Sequence, residues 1–411
     1  MASAVSNARI TFAVCFGAYA LSQAELALLS YALPPLRQSL GLSLLAVTLA
    51  ISVAYVLGGL LQVWFGHLTD RFGRKNMLQV SLAGSSLFVA AHALIGALWQ
   101  ITILRAGSVF TGGALYPATG AMVTEVAPAR RRGLWAGMLQ AAYPVGWFLA
   151  AAIAAPMLAT WGWRSLFLVP LLALPYLWVV RRFLTETARF ESVRAGNAQR
   201  PLRESVAALF APAMRARTLT LLLAQFLFVI AYGSSALLFP TYFNEARHLQ
   251  VGSATWLVGF GNLIGVLGYV LAALVGEYWL TRRTTVVLWT LLGSLSLLWL
   301  VWGTSSYYGT LAAFGLMSMF FYGTAAVKFA FVAELFPTHL RATGLAVCTS
   351  LPVNFGIALG PPLMAWAKDI IGWDRTFSFL IAVPLICAGL LYLFLKPIPS
   401  GIELEAVQER L

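Results

Sequence analysis

The chain has 411 residues, 60% of them apolar and only 10% charged, with a mean hydropathy of +0.82. No water-soluble globular domain of this length carries that composition, so soluble enzymes and soluble binding modules are excluded. The net charge of +13 invites a nucleic-acid reading, which the placement of the basic residues overturns.

Runs of about 20 apolar residues mark membrane-spanning helices. Twelve are expected, at 10–33, 44–67, 77–97, 99–124, 133–157, 163–183, 217–241, 253–280, 284–303, 307–333, 343–367 and 374–395. Most connections are short. The exception is 184–216, a polar stretch with Gly196, Asn197 and Pro201, read as a cytoplasmic linker between an N-terminal six-helix bundle (1–183) and a C-terminal one (217–411). The first span lacks a basic lead-in and a small-residue cleavage site, so it is expected to be a retained helix and not a signal peptide.

Span 1 carries Glu25 near its middle, in Ser22-Gln23-Ala24-Glu25, nine residues before Pro34. An ionisable group at membrane depth is costly, which makes it a functional candidate by default. Between spans 2 and 3 lies Gly66-His-Leu-Thr-Asp70-Arg-Phe-Gly73-Arg74-Lys75. Gly73 can supply a tight turn there, Asp70 an acceptor, and Arg71, Arg74 and Lys75 donors. Span 3 holds an isolated His92, read as packing, and span 4 holds Arg105, twenty residues before Glu125. A guanidinium stays charged, so a carboxylate beside it is held as an anion, and it takes a proton once the guanidinium is drawn away. Glu25 and Arg105 are therefore candidates for carrying a coupled proton.

Span 4 ends in Glu125-Val-Ala-Pro128-Ala-Arg-Arg-Arg132, and 209 residues later span 10 ends in Glu334-Leu-Phe-Pro337-Thr-His-Leu-Arg341. The same acid, proline and arginine spacing at the same end of two spans indicates an internal repeat, whose natural binding region lies between the two copies. Span 5 contributes Gln140, Tyr143 and Trp147, span 8 Asn262, span 10 Tyr322 and Phe329, and span 11 Asn354 as candidate cavity residues. After span 6 comes Glu186-Thr-Ala-Arg189, and after span 8 a worn copy of the first loop, Gly276-Glu-Tyr-Trp-Leu280-Thr-Arg282-Arg283, with Leu280 at the Asp position. Lys328 in span 10 lies six residues before Glu334, about 9 Å inside that end at about 1.5 Å per residue. Its first-half counterpart is Thr119, and no acid occupies the neighbouring turns. A buried ammonium without a fixed acid suits a substrate carboxylate that comes and goes. The competing reading is a lysine snorkelling to the cytoplasm.

Of the 27 Lys and Arg, twenty fall on one side of this topology, among them Arg74, Lys75, Arg130 to Arg132, Arg282, Arg283 and those around the central linker. Arg37, Arg164, Arg247, Lys368 and Arg375 fall on the other, while Arg105 and Lys328 lie within spans. The crowded side is cytoplasmic by the positive-inside rule, with both termini inside. Cys15, Cys348 and Cys387 all fall within spans, so no disulfide framework is expected. No metal cluster, phosphate-binding loop or nucleophile–base arrangement occurs, so neither a cofactor nor a catalytic residue is expected.

These motifs resemble the major facilitator superfamily over nearly the whole chain. The G-x-L-x-D-R-x-G-R-K loop is its signature, and the paired E-x6-R motifs with Glu186-Thr-Ala-Arg189 resemble the sugar porter and organic acid branch. The resemblance implies an all-α fold of twelve spans in two pseudo-symmetric six-helix bundles. It also implies a cytoplasmic charge network (Asp70, Arg74, Glu125, Arg132, Glu186, Arg189, Glu334, Arg341) that holds the outward-facing state, with Glu25 and Arg105 paired across the first bundle. Gln140 matches a sugar-contacting Gln, and Phe329 an aromatic contact. Aromatic-acid symporters carry D-G-F-D in span 1, where Ser22 takes the first Asp position and Glu25 the second. Span 7, with Gln225 alone, lacks the sugar porters' G-I-N motif, and span 5 lacks the paired glycines of drug antiporters.

The reading is proton-coupled symport of a small organic anion, a mono- or dicarboxylate, by alternating access. The expected setting is a monomer in the lipid bilayer of a plasma membrane, of the bacterial inner-membrane kind, with no nucleic-acid partner. Transport of a neutral or zwitterionic metabolite, or a non-transporting receptor on this fold, are the alternatives.

Overall fold

The computed structural model of the chain describes residues 2–113, 115–128, 131–186, 202–336 and 340–396. Among them all regular structure is helical. In chain order the α-helices are α1 (Ala2–Leu40), α2 (Leu44–Phe72), α3 (Arg74–Ala91), α4 (Leu98–Gly112), α5 (Leu115–Val126), α6 (Arg132–Gln140), α7 (Ala142–Thr160), α8 (Trp163–Leu166), α9 (Tyr176–Phe183) and α10 (Leu202–Leu209). The second series is α11 (Arg215–Ser235), α12 (Phe239–Glu245), α13 (Val251–Tyr278), α14 (Arg282–Trp302), α15 (Tyr307–Phe320), α16 (Ala325–Glu334), α17 (Arg341–Leu345), α18 (Leu351–Ile371), α19 (Trp373–Phe377) and α20 (Val383–Tyr392).

Among the described residues, eleven helical segments are long and apolar enough to cross a membrane. The expected fourth span is the one not among them; α4 and α5 lie along it on either side of Ala114, which is outside the described residues. Pro117 has no N–H to donate to the carbonyl four residues back, at Gly113, the residue that follows α4. Pro144 does the same to Gln140, which ends α6 one residue before α7 begins. Pro352 and Pro384 follow π-helical turns at 346–350 and 378–382, where the ladder widens to pass the missing donor.

The chain divides into two compact units. The first comprises Met1–Trp135, Ala142–Asn197 and Ala236–Leu263; the second comprises Ala136–Ala141, Ala198–Ser235 and Ile264–Leu411. Two short pieces are thus grouped apart from the halves read in sequence, 136–141 and 236–263.

In the first unit α2 packs most extensively on α4, α1 on α7, and α3 on α4. The α1–α7 contact depends on Gly146, where any Cβ would collide with the Ala20 carbonyl. Gly73 alone separates α2 from α3, at φ 91°, a backbone region that favours glycine; the expected tight turn is there. In the second unit α11 packs on α18, and α14 on α15. Gly233 meets the Gly356 carbonyl at the α11–α18 contact. The first-on-fifth and third-on-fourth pairing of spans therefore recurs within each unit, closed in both by glycine.

Candidate functional site

Glu25 is 4% exposed in α1, surrounded by membrane helices. Its two carboxylate oxygens accept from neighbouring serines of α3: Ser85 Oγ at 2.8 Å on one, Ser86 Oγ on the other. Ser85 and Ser86 are themselves buried. Arg105, 3% exposed in α4, donates from Nη2 to the Tyr55 hydroxyl of α2 at 3.0 Å, with its guanidinium carbon 5.4 Å from that ring's centroid.

The expected Glu25–Arg105 ion pair is thus corrected. Both groups are buried in the first unit, but each has found neutral hydroxyl partners. Two hydroxyls satisfy a carboxylate, and each can turn from donor to acceptor, so the Ser85–Ser86 pair can serve Glu25 with or without its proton. His92 donates from Nδ1 to the Phe88 carbonyl at 2.8 Å, in the tautomer that bond implies, and its ring lies 5.3 Å from Phe167, in keeping with a packing role.

At the helix ends expected to be cytoplasmic, Arg74 pairs with Glu125. Glu186 accepts from the Lys75 backbone N–H at 3.1 Å, in the first turn of α3, where a helix N-terminus favours an anion. In the second unit Glu334 pairs with Arg282, whose other nitrogen meets Glu277 at 2.7 Å. Each E-x6-R acid is therefore joined to an arginine of the preceding short loop. The arginine of its own motif is not the partner shown: Arg132 is exposed. The side chains of Asp70 and Arg341, and Arg189 as a whole, lie outside the described residues. Glu277 and Arg282 were missed as network members, because Leu280 at the Asp position made the second loop look unable to pair. Glu277 supplies the lost carboxylate from three residues earlier.

Lys328 is 9% exposed in α16. Its ammonium lies 3.2 Å from the centroid of Phe228, on α11. No carboxylate pairs with it among the described residues. A snorkelling lysine would carry its ammonium outward; here it rests on an aromatic face inside the second unit. Phe228 packs edge-on against Phe321 at 5.1 Å, Phe321 against Tyr322 at 4.9 Å, and Tyr322 against Tyr232 at 5.8 Å. Tyr322 thus belongs to an aromatic wall continuous with the lysine. Sequence reasoning missed Phe228 because nothing but its phase on span 7 sets it apart from its apolar neighbours.

Other candidates separate. Gln140 is buried at the α6 terminus, its carbonyl released by Pro144, and Gly137 one turn earlier packs on the Ala326 carbonyl in the second unit. Tyr322 also lies at an interruption, in the 3-10 turn Tyr322–Thr324 between α15 and α16. Interrupted helices mark binding regions in transporters. Tyr143 and Trp147 are buried on α7 with rings 5.8 Å apart, and Trp147 stands edge-on to Tyr31 at 6.0 Å. Asn262 is buried on α13 and donates to its own helix at Val258. Asn354 is half-buried, and Phe329 is 37% exposed.

The family model described as Major Facilitator Superfamily matches residues 15–276 and 221–410. Similar proteins include a probable 4-methylmuconolactone transporter of Cupriavidus pinatubonensis, 27% identical over 97% of this chain and 92% of that protein. The cis,cis-muconate transport protein of Acinetobacter baylyi is 25% identical over 94% of each chain. The gallate transporter of Pseudomonas putida is 25% identical over 92% of this chain and 89% of its own. A crystal structure of a D-xylose-proton symporter superposes with a TM-score of 0.72 at 17% identity, covering 95% of this chain and 98% of that one, a likeness of fold alone.

Proposed function

The chain belongs to the Major Facilitator Superfamily, and from that premise we propose that it is a proton-coupled symporter for a small organic anion, a mono- or dicarboxylate. It is a multi-pass membrane transporter and not an enzyme.

The observation that carries the anion reading is Lys328. A buried cation normally has a fixed acid beside it. This one rests on the face of Phe228, an attraction weaker than an ion pair and one that a carboxylate can displace. An arriving substrate carboxylate completes the charge, and its departure returns the ammonium to the ring. The names of two relatives, specifying muconate and gallate, support a carboxylate cargo.

Glu25 is the proposed proton carrier. Its serine pair gives both protonation states a hydrogen-bond partner, which lets the proton come and go without leaving a buried polar group unsatisfied. Arg105, held by Tyr55, keeps a fixed positive charge in the same unit. The Arg74–Glu125 and Arg282–Glu334 pairs are proposed to act as cytoplasmic latches, made in one state of the transport cycle and broken in the other. Both termini are proposed to be cytoplasmic, in a bacterial inner membrane, and the crowding of basic residues on one side supports that orientation.

The test is binding by the purified protein of benzoate, cis,cis-muconate and succinate. Lys328→Met keeps the bulk and removes the charge; it should weaken carboxylate binding about tenfold to a hundredfold, the value of a charged hydrogen bond. Lys328→Arg should recover part of it. Unchanged affinity in Lys328→Met would withdraw the organic-anion reading.

A further inference from the structure

Two buried polar atoms in the first unit have no partner among the described residues and sit on helix faces that meet. Trp147 Nε1 on α7 and Asn262 Oδ1 on α13 are both shut from solvent and both without a hydrogen bond. The residues are 3% and 1% exposed. An unpaired buried N–H or carbonyl costs about 1–3 kcal/mol, so each needs a reason.

The helix contacts place them together. A Cβ on Gly259 would collide with the Cβ of Ala151; Gly252 approaches the Ala155 carbonyl; and the Phe148 and Phe260 rings are 5.7 Å apart. These matches run in opposite chain directions, so α7 and α13 are antiparallel. One turn before Ala151 is Trp147, and three residues after Gly259 is Asn262. Both steps lead the same way along the interface, and both stay on the contacting face, because i−4 and i+3 return nearly to the starting direction. The Asn262 amide N–H is already spent on the Val258 carbonyl at 2.8 Å, which fixes the amide and leaves its oxygen as the free end.

The unpaired atom is a donor on one side and an acceptor on the other. A carboxylate would satisfy the indole and be repelled by the amide oxygen. An ammonium would do the reverse. A hydroxyl can accept from one and donate to the other at once. We infer that Trp147 and Asn262 form a subsite for a hydroxyl group of the transported molecule, entered when the facing turns of α7 and α13 separate. The inference rests on the reading of the chain as a carrier of small polar molecules, and not on Lys328.

Matched ligand pairs test it: benzoate against 3- and 4-hydroxybenzoate, and succinate against malate, each titrated into the purified full-length protein. The wild type should bind at least one hydroxylated member about three- to tenfold more tightly than its parent, the value of a net hydrogen bond. Trp147→Phe and Asn262→Leu should each bring that ratio to about one. Absence of a preference in every wild-type pair, including failure of all five compounds to bind, would overturn the subsite, and so would a ratio that survives both substitutions. Lys328→Met, run in parallel, keeps the two proposals apart. If it leaves every affinity unchanged, the organic-anion reading falls, while the ratio still judges Trp147 and Asn262.

Discussion

Glu25 owes its place in the membrane to two serines, and Arg105 owes its place to a tyrosine. The two can therefore be perturbed separately. Glu25→Gln exchanges an oxygen for an amide, which the Ser85 and Ser86 hydroxyls can accommodate by turning one lone pair toward it. Its cost in stability should be under about 1 kcal/mol, in line with interhelical hydrogen bonds measured in membranes. Tyr55→Phe strips a buried guanidinium of its hydroxyl partner and should cost about 1–3 kcal/mol, seen as the larger fall in thermal midpoint in detergent. Equal falls in the two variants would argue that Glu25 and Arg105 depend on each other after all. Both ionisable residues were legible as buried sites from hydropathy alone. Their partners were not, because which serine or tyrosine faces a charge depends on the rotation of each helix, and a run of apolar residues leaves that phase open. The same limit hid Phe228 beneath Lys328.

At the level of elements, prolines and glycines wrote more of the structure than the apolar runs did. Pro117 and Pro144 withhold a donor from the carbonyls of Gly113 and Gln140, and Gly73 turns α2 into α3 within a single residue. All three residues were visible in the sequence, but the interruption of the fifth span after Gln140 was not anticipated, since a sliding apolar window passes over a lost backbone hydrogen bond. A second repeat lay unread beside the E-x6-R motif. Gly162-Trp163 and Gly372-Trp373 open α8 and α19, each glycine with positive φ and each tryptophan under a cation, Arg164 at 4.2 Å and Lys368 at 5.3 Å. The opposite helix ends carry their own tie. Arg37 of α1 meets Glu245 of α12 at 2.5 Å, and Ser30 Oγ donates to the Leu237 carbonyl at 2.6 Å, both within the first unit. In a cysteine-free background, Leu36→Cys reports on this contact, as Leu36 is wholly buried in α1. Arg37→Ala or Glu245→Gln should raise its labelling by an impermeant maleimide several-fold, and the double exchange Arg37→Glu with Glu245→Arg should restore protection. Labelling that stays at the parent level in both single variants would reduce the pair to a surface ion pair of little weight.

For the molecule as a whole, the 209-residue repeat, the basic side and the apolar spans indicated a repeated helical membrane protein, and the resemblance carried by the loop motifs supplied the Major Facilitator fold. The spans were legible because a membrane restricts such a chain to helices whose every backbone group is satisfied internally. The repeat is visible in the packing too, with the same spans paired by close glycine contacts in each unit. What composition could not supply is the cargo and its coupling, which rest on a few polar atoms among several hundred apolar ones. The central claim is that a proton carried by Glu25 drives accumulation of an organic anion. Its most direct test is uptake of a carboxylate bound by the purified protein into proteoliposomes, compared between wild type and Glu25→Gln, with and without an imposed proton gradient. Wild type should accumulate the anion only when the gradient is present. Glu25→Gln should lose gradient-driven accumulation yet retain substrate counterflow, since exchange need not release the proton. Gradient-driven accumulation that survives in Glu25→Gln would contradict the account.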